Sequence, residues 1–591
     1  MRILFLTHGF NSLTQRLYIE LTTLGHQVSI EFDINDAVAE QAVALFKPEL
    51  IIAPFLKRPI PESIWREHRC IIVHPGIKGD RGPSSIDWAI MTEQKSWGVT
   101  CLEAVEEMDA GDIWASVEFP MSCASKSSLY RNEVTEAAVE AVTLTLERIE
   151  QGEYQPEPLN YEDPTIKGQW NGLMSQELRS IDWRVDDSET VFKKIRAADS
   201  QPGVKETIAG REYYLYNAIV DNDEAKALSN QSNAQPGSII ATRDRAVCFA
   251  TIDGAVWVTH LRLASATDGE FSFKLPATYL LGEQIQRAPE SARVMDLPLA
   301  PADVPLHATW QEIRYRQEGE VGYLHFDFYN GAMDTQQCQR LQAAVAQAKE
   351  EKIKVLVLLG GAEYWSNGIH LNQIEAAQSP AEESWSNINA MNDLCLEIIN
   401  TPKQMTFVAM QGNAGAGGVF MALSANKVLA RHSTILNPHY KSMGNLYGSE
   451  YWTYLLPKRV GPDTAMTLMH NRLPISAQLG AEIGLIDECI NASRDDFVQQ
   501  VKIKAQQVAK STELAQQIAL KNLQREKDEL GKPLAQYREE ELTQMNLNFF
   551  GFDPSYHVAR YHFVEKLPKA RTPAYLANHR NITAATQLAE A

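Results

Sequence analysis

Gln411-Gly-Asn-Ala-Gly-Ala-Gly-Gly-Val-Phe420 is the stretch that decides how this chain is read. It follows an apolar run, Met405–Met410, with the character of a buried strand, and it leads into a predicted helix, Phe420–Ser424. Glycines crowded at a strand-to-helix junction let backbone N–H groups approach a ligand closely, and the start of a helix adds partial positive charge. That is the setting of an oxyanion hole, which normally needs a second donor. Tyr364-Trp-Ser-Asn-Gly-Ile-His-Leu371, after the apolar run Lys354–Leu359, supplies a candidate. Either turn alone suits an ordinary α/β domain; as a pair they bring two strand ends to one carbonyl.

This pairing resembles the crotonase family of enoyl-CoA hydratases and isomerases. The likeness runs from Gly319 to Asn491 and includes Arg459-Val-Gly461, Ala465–Met469 and Ala477–Asp487. It implies that Ile369 and Ala416 give the backbone donors to a CoA thioester oxygen, with Gly368 and Gly417 shaping the ligand-binding turns. The chemistry departs from the family: the two hydratase glutamates fall at Phe420 and His439. Water addition to an enoyl group is therefore not expected.

A chain of 591 residues exceeds one hydrophobic core, so several domains are expected. A net charge of −20 and a pI near 5.2 argue against nucleic acid as a partner. The cysteines at 70, 101, 123, 248, 338, 395 and 489 are scattered without C-x-x-C spacing, which suits reduced thiols and gives no metal site. Met1-Arg-Ile-Leu-Phe-Leu6 enters a strand directly, with no signal-peptide pattern and no long apolar span, so a cytoplasmic protein away from membranes is expected.

From the N-terminus, Arg2–Thr7, Ser12–Leu24 and Gln27–Phe32 form a β-α-β opening without a G-x-G-x-x-G fingerprint, which disfavours NAD. Further strands are expected at Glu49–Ala53, Cys70–Val73 and Val99–Val105. The fourth strand ends in His74-Pro-Gly-Ile-Lys-Gly-Asp-Arg-Gly-Pro83, and the fifth precedes Glu106-Glu-Met-Asp-Ala-Gly-Asp-Ile113. Ligands of open α/β sheets bind outside the carboxyl ends of strands, where a histidine and an aspartate from neighbouring ends could polarise a carbonyl and relay a proton. His74, Arg81-Gly82 and Met108–Ile113 resemble the formyltransferases that use N10-formyltetrahydrofolate. The resemblance assigns catalysis to His74 and Asp109, a cofactor-binding role to Gly82, and the folate pocket to Ala53-Pro-Phe-Leu56. The family's catalytic asparagine is replaced by Ile72, and a missing oxyanion donor is typically worth roughly 3–4 kcal/mol of barrier.

After a predicted helix, Ser127–Ile149, and a polar linker, Gln151–Pro164, short segments including Ile181–Trp183, Ile195–Ala197, Gly210–Ala218, Pro236–Ile240 and Val256–Leu263 resemble the small β-barrel of methionyl-tRNA formyltransferase. Past the crotonase-like part, Asp496–Gln524 and Pro533–Phe549 read as packing or oligomerisation helices, and the basic cluster Lys566–Arg571 as a solvated tail, with contact to a phosphate as the alternative. The resulting architecture is a multidomain α/β chain: a formyltransferase-type open sheet over 1–164, an OB-like barrel over 165–285, a linker over 286–309, a crotonase-type domain over 310–495, and a helical extension and tail over 496–591.

Ile72-Val-His74, Met108–Asp112, Gly368-Ile-His370, Gly412–Phe420 and Pro438-His-Tyr-Lys-Ser-Met-Gly444 together resemble the hydrogenase maturation factors of the HypX/HoxX type. That resemblance implies formyl transfer from N10-formyltetrahydrofolate to coenzyme A, then release of CO and CoA, with CO destined for the iron of a [NiFe]-hydrogenase and hydrogenase maturation proteins as candidate recipients. With both hydratase glutamates replaced, Tyr440 and Glu450 are the expected acid and base of CO release, and His439 is the rival base. Two other readings stay open: a formyl-CoA hydrolase or another formyl-transferring enzyme, and a scaffold that binds folate and CoA without turnover.

Overall fold

The computed structural model describes all residues except 233, 268, 283–284, 286–293, 300–303, 306–307 and 582–591. The expected linker over 286–309 lies mostly outside the described residues. Of its described part, Met295–Asp296 pairs in parallel with the strand Ile239–Arg243.

The N-terminal sheet runs in the order Gln27–Phe32, Arg2–Thr7, Leu50–Ala53, Cys70–His74, Ser96–Glu103, Ile113–Pro120. The first four strands are parallel and the last two antiparallel. A parallel strand covered on both faces needs an unbroken apolar run, and Ile3-Leu-Phe-Leu6 is one: Ile3 and Phe5 enter one core cluster, Leu4 and Leu6 another. The helix Ser12–Thr23 starts at Asn11, whose side chain accepts the Thr14 N–H, and packs Leu13, Leu17 and Leu21 on that sheet.

Where one long helix was expected over Ser127–Ile149 there are two, Lys126–Arg131 and Glu133–Gln151, broken at Asn132. The polar segment after them is no free linker. Glu157 exchanges two backbone hydrogen bonds with Ile113, and the Tyr161 hydroxyl donates to Gly79 O at 2.9 Å, so the segment folds back over the loop that follows His74.

The second region is a seven-stranded sheet built on Val204–Ile208, Arg211–Asp221, Ile239–Arg243, Ala246–Ala250 and Ala255–Leu263. Two expected strands are absent there: Ile195–Ala197 belongs to the helix Ser188–Ala198, and Ile181–Trp183 lies in a turn. In the helix, Val191, Ile195 and Ala198 recur at helical spacing and enter the barrel core, so the 3.6-residue period overrides the short β-like run.

The third region carries a six-stranded sheet, Ile313–Glu318, Val321–Phe326, Val355–Leu359, Met405–Met410, Lys427–Arg431, Glu488–Ile490, parallel after its first hairpin. Val355, Val357 and Leu359 face one core cluster while Leu356 and Leu358 face the other. Beside it stands a four-stranded sheet of Tyr364–Ser366, Asn413–Gly415, Ile435–Asn437 and Ile475–Ser476. The glycine-rich helix begins at Gly417, three residues before the expected start. Four helices lie beyond the last strand, Glu488–Ile490: Arg494–Lys510, Leu514–Gly531, Leu534–Phe550 and Ser555–Val564. No helix among the described residues is long and apolar enough to cross a membrane, and no group of side chains among them is arranged to hold a metal.

Candidate active sites

His74 ends the strand Cys70–His74 and is almost fully buried. Its Nε2 lies 2.9 Å from Asp80 Oδ2, and its Nδ1 lies 3.6 Å from Asp109 Oδ2. The first distance is a hydrogen bond; the second is beyond one and leaves Nδ1 open to a ligand. Burial alone would lower the His74 pKa, but the Asp80 hydrogen bond and the charges of Asp109 and Asp80 outweigh it and raise it. The ring is therefore held as an imidazolium to higher pH than a free histidine.

Asp80 is the residue that sequence reasoning missed. A Cβ on Gly76 would stand 2.4 Å from both Asp80 Oδ2 and His74 Nε2, so only glycine lets the loop curl tightly enough to close this pair. That Gly-x-x-x-Asp spacing behind a strand-end histidine was the available signal. Asp109 sits at positive φ, and its Oδ2 accepts the Gly82 N–H at 3.1 Å. Gly82 thus spends its N–H on holding the aspartate. Ile72, two residues before His74 and on the same side of the strand, is flanked by Ala53 and Leu102 and brings no donor. Phe55, in the expected folate segment, packs edge-on against His8 at 5.9 Å and Tyr130 at 6.2 Å.

In the crotonase-like half, the two glycine turns meet. A Cβ on Gly368 would lie 3.3 Å from Gly417 N, and Ile369 follows in a short ladder with Met333. Ala416 does not fit the expected donor role, because its N–H already donates to Asn437 O at 3.0 Å and closes the pairing of Asn413–Gly415 with Ile435–Asn437. The next N–H, Gly417, is the first of its helix and has no preceding turn to accept it, so the geometry moves the role by one residue.

Tyr440 and Glu450 come together at this cradle. The Tyr440 hydroxyl lies 2.5 Å from Glu450 Oε2 and 3.0 Å from Ser449 O, and its ring stacks on Phe420 at 5.3 Å and 16°. A Cβ on Gly417 would stand 2.2 Å from Glu450 Oε1, so the carboxylate lies directly on the glycine. Glu450 is 1% exposed, and burial, reinforced by the charge of Glu541, pushes its carboxyl up to about 8 against the Tyr440 hydrogen bond. Burial raises Tyr440 well above its ordinary value. His439 is buried elsewhere: neither ring nitrogen has a hydrogen-bond partner in the structure, and burial with the Arg472 charge pushes it down to about 4. It is neutral at physiological pH and outside the Tyr440–Glu450 pair.

The two halves are in contact. Asn437 Nδ2, at the end of its strand, donates to Gln15 Oε1 at 3.1 Å, and Arg431 reaches Glu136 and Asn132 at 3.2 and 3.3 Å. Arg131 pairs with Glu363, while its Nε is buried without a partner. Close by, Lys274 donates to the Tyr329 hydroxyl at 3.0 Å. Burial and the cations Lys566, Arg262 and Arg131 push its ammonium down to about 7, against the pull of Asp199. The basic cluster is consequently no free tail: Lys566 joins this cationic group, Lys569 lies 5.4 Å from the Phe32 ring, and Arg571 bonds Gln41.

Three family models match: formyl transferase over residues 1–146, formyl transferase C-terminal domain over 173–269, and enoyl-CoA hydratase/isomerase over 320–571. The hydrogenase maturation factor HoxX of Bradyrhizobium diazoefficiens is 47% identical over 580 residues, 98% of this chain and 97% of that protein. The crystal structure of HypX from Aquifex aeolicus in complex with tetrahydrofolic acid superposes with a TM-score of 0.91 at 48% identity, covering 98% of this chain and 99% of that one. A methionyl-tRNA formyltransferase of Halalkalibacterium halodurans is 26% identical over 235 residues, 39% of this chain and 70% of its own length. With that identity across nearly its whole length, the chain belongs to the HypX/HoxX family of hydrogenase maturation factors.

Proposed function

We propose that this enzyme transfers a formyl group from N10-formyltetrahydrofolate to the thiol of CoA and then splits formyl-CoA into CO and CoA, the CO becoming a ligand of the iron in a [NiFe]-hydrogenase. The observation that carries the proposal is the Tyr440–Glu450 pair lying on Gly417, where a hydratase's glutamates are absent but its glycine cradle remains.

In the first site, His74 as an imidazolium would donate from Nδ1 to the formyl oxygen and so supply the hydrogen-bond donor that the asparagine replaced by Ile72 would otherwise give. Asp80 would hold the imidazolium charge, and Asp109, fixed by Gly82, would take the proton that the thiol loses and return it to N10 of the departing tetrahydrofolate. A thiol is a strong nucleophile whose thiolate is already a few per cent populated at neutral pH, which lowers the demand on the site. The likeness to a HypX whose structure holds tetrahydrofolic acid supports folate as the carrier.

CoA fits the residues present. Lys274, Lys566, Arg262 and Arg131 gather cationic charge beside Asp199, with Arg131 also paired to Glu363, a seat for the phosphates, and Ile369 and Gly417 can point N–H groups at a thioester oxygen. Polarising that oxygen acidifies the formyl C–H. Glu450 would accept this proton, the C–S bond breaks as CO forms, and Tyr440 protonates the departing sulfur before regaining a proton from Glu450 across their 2.5 Å contact. The balance is one formyl-CoA to one CO and one CoA thiol.

Incubation of the full chain with N10-formyltetrahydrofolate and CoA, with deoxyhaemoglobin as the CO trap, should give CO in proportion to folate consumed. Formate without CO would indicate a hydrolase; ligand binding without turnover would indicate a scaffold.

A further inference from the structure

Glu541 belongs to the helix Leu534–Phe550, 90 residues beyond Tyr451, yet its carboxylate is fully buried beneath the thioester site. Its Oε2 accepts the Tyr451 N–H at 3.0 Å and the Ser449 hydroxyl at 3.3 Å; its Oε1 accepts the Thr453 N–H at 2.8 Å and the Thr453 hydroxyl at 2.5 Å. It therefore caps the helix Trp452–Val460 and grips the chain on both sides of Glu450. Glu450 and Tyr451 are consecutive residues at φ 60 and 59, a left-handed conformation that side-chain-bearing residues avoid and keep only when their surroundings enforce it. Asn392 completes the enforcement, its Oδ1 accepting the Glu450 N–H at 2.7 Å and its Nδ2 donating to the Ser449 hydroxyl at 2.9 Å.

We propose that Glu541 is a positioning residue of the thioester site: it holds the Ser449-Glu450-Tyr451 corner in the form that lays the Glu450 carboxylate on the glycine cradle, and it sets a second negative charge behind it. This rests on the role given to Glu450 above. The titratable groups facing Glu450 are the Tyr440 hydroxyl, Glu541, and the thiols of Cys338 and Cys395 from two other helices. Tyr447 also faces Glu541, and Arg538, whose charge acts on Tyr451 and Cys395, is paired with Asp393. Burial is the larger cause that raises Glu450 to about 8, and the Glu541 charge adds to it, while burial raises Glu541 itself to about 7 against the hydrogen bonds from Thr453, Tyr451 and Ser449.

The test uses the full-length protein with supplied formyl-CoA. Glu541→Gln should keep the KM for formyl-CoA and move the pH midpoint of CO release down by about one unit, because the charge that raises Glu450 is gone. Without substrate, the infrared C=O band of the protonated carboxyl that disappears in Glu450→Gln should titrate at correspondingly lower pH. Glu541→Ala should relax the corner and lower kcat by about 10- to 100-fold, again at constant KM. Thr453→Val, which removes one bond to Oε1 and leaves packing intact, should shift the midpoint the same way by less. If Glu450→Gln abolishes CO release while the midpoint and the band stay put in Glu541→Gln and Thr453→Val, the inference is overturned and the function stands. If Glu450→Gln releases CO normally, the proposed function fails, and the infrared shift alone then decides the influence of Glu541.

Discussion

Glu450→Gln should make the protein more stable and nearly inactive, and the gain in stability should depend on pH. The Glu450 carboxyl is raised from 4.5 to about 8 and is 1% exposed, so solvent screening does not reduce the effect. A carboxyl that binds its proton more tightly in the folded state contributes full stability below pH 4.5 and loses it progressively until about pH 8. That gap, at 1.36 kcal/mol per unit, costs the native state roughly 3 kcal/mol at pH 7 and roughly 4 kcal/mol at pH 8, and approaches roughly 5 kcal/mol above it. Glutamine keeps the shape without the charge. It forfeits the charge-assisted bond from Tyr440, about 1 kcal/mol, since that hydroxyl can still donate to Ser449 O. Wild type and variant should thus unfold with similar free energies at pH 5, and the variant should be ahead by roughly 3 kcal/mol at pH 8. Urea titrations at both pH values, alongside CO yield from formyl-CoA, measure this. An equal stability difference at the two pH values, or a normal CO yield, would refute the reasoning.

His74→Ala and Asp109→Asn should each abolish folate-dependent formyl transfer while sparing the breakdown of supplied formyl-CoA, because the two sites are built on separate sheets; loss of both activities in a folded variant would contradict this. Asp80→Asn removes the charge that raises His74, so the alkaline limb of the transfer profile should move to lower pH, with a rate loss on the order of 10²-fold at neutral pH. Ile72→Asn should bring no gain approaching 100-fold, since an imidazolium already serves the oxyanion; a gain of that size would show a donor simply missing. Tyr440→Phe should cut CO release by about 10²–10⁴-fold with CoA affinity unchanged, whereas His439→Gln should leave the yield within a few-fold; the reverse order would hand the role to the histidine.

What the sequence showed best was set by local periodicity. Arg2–Thr7 and Gln27–Phe32 appear with the expected bounds because the unbroken apolar run Ile3–Leu6 suits a strand covered on both faces, and the alternation of Val28, Ile30 and Phe32 with polar residues suits a strand with one apolar face. Ile195–Ala197 misled because three residues cannot reveal a period, and only the spacing from Val191 to Ala198 shows the helix. The donor at Ala416 was displaced for a related reason: whether its N–H is free depends on Asn437 lying opposite, and strand register between distant segments leaves no mark on either segment alone. Asp80 was legible in principle, in the same loop as His74, but its contact needs the close approach that Gly76 allows.

The C-terminal segment shows most clearly how far a residue's role can lie from its composition. Its helices are polar enough to pass for surface packing, yet Glu541 ends beneath Glu450, and Lys566 adds its charge to Lys274 at the junction of the two halves. Beyond them the chain returns to the opposite end of the sequence: Ile30 N donates to Leu576 O at 3.0 Å, Asn578 Nδ2 to Val28 O at 2.9 Å, and the buried Glu31 accepts from Thr572 and pairs with His579 at 3.0 Å. One continuous stretch thus grips the outer strand of the formyltransferase sheet, supplies charge between the domains, and supports the corner that carries Glu450. Buried ionic groups lose far more when one partner is removed than an exposed pair does, so these contacts tie the two halves more firmly than surface salt bridges could. The proposed transfer, whose product would be a reactive thioester, suits that arrangement, because such an intermediate would pass between two sites that the tail contacts from both sides.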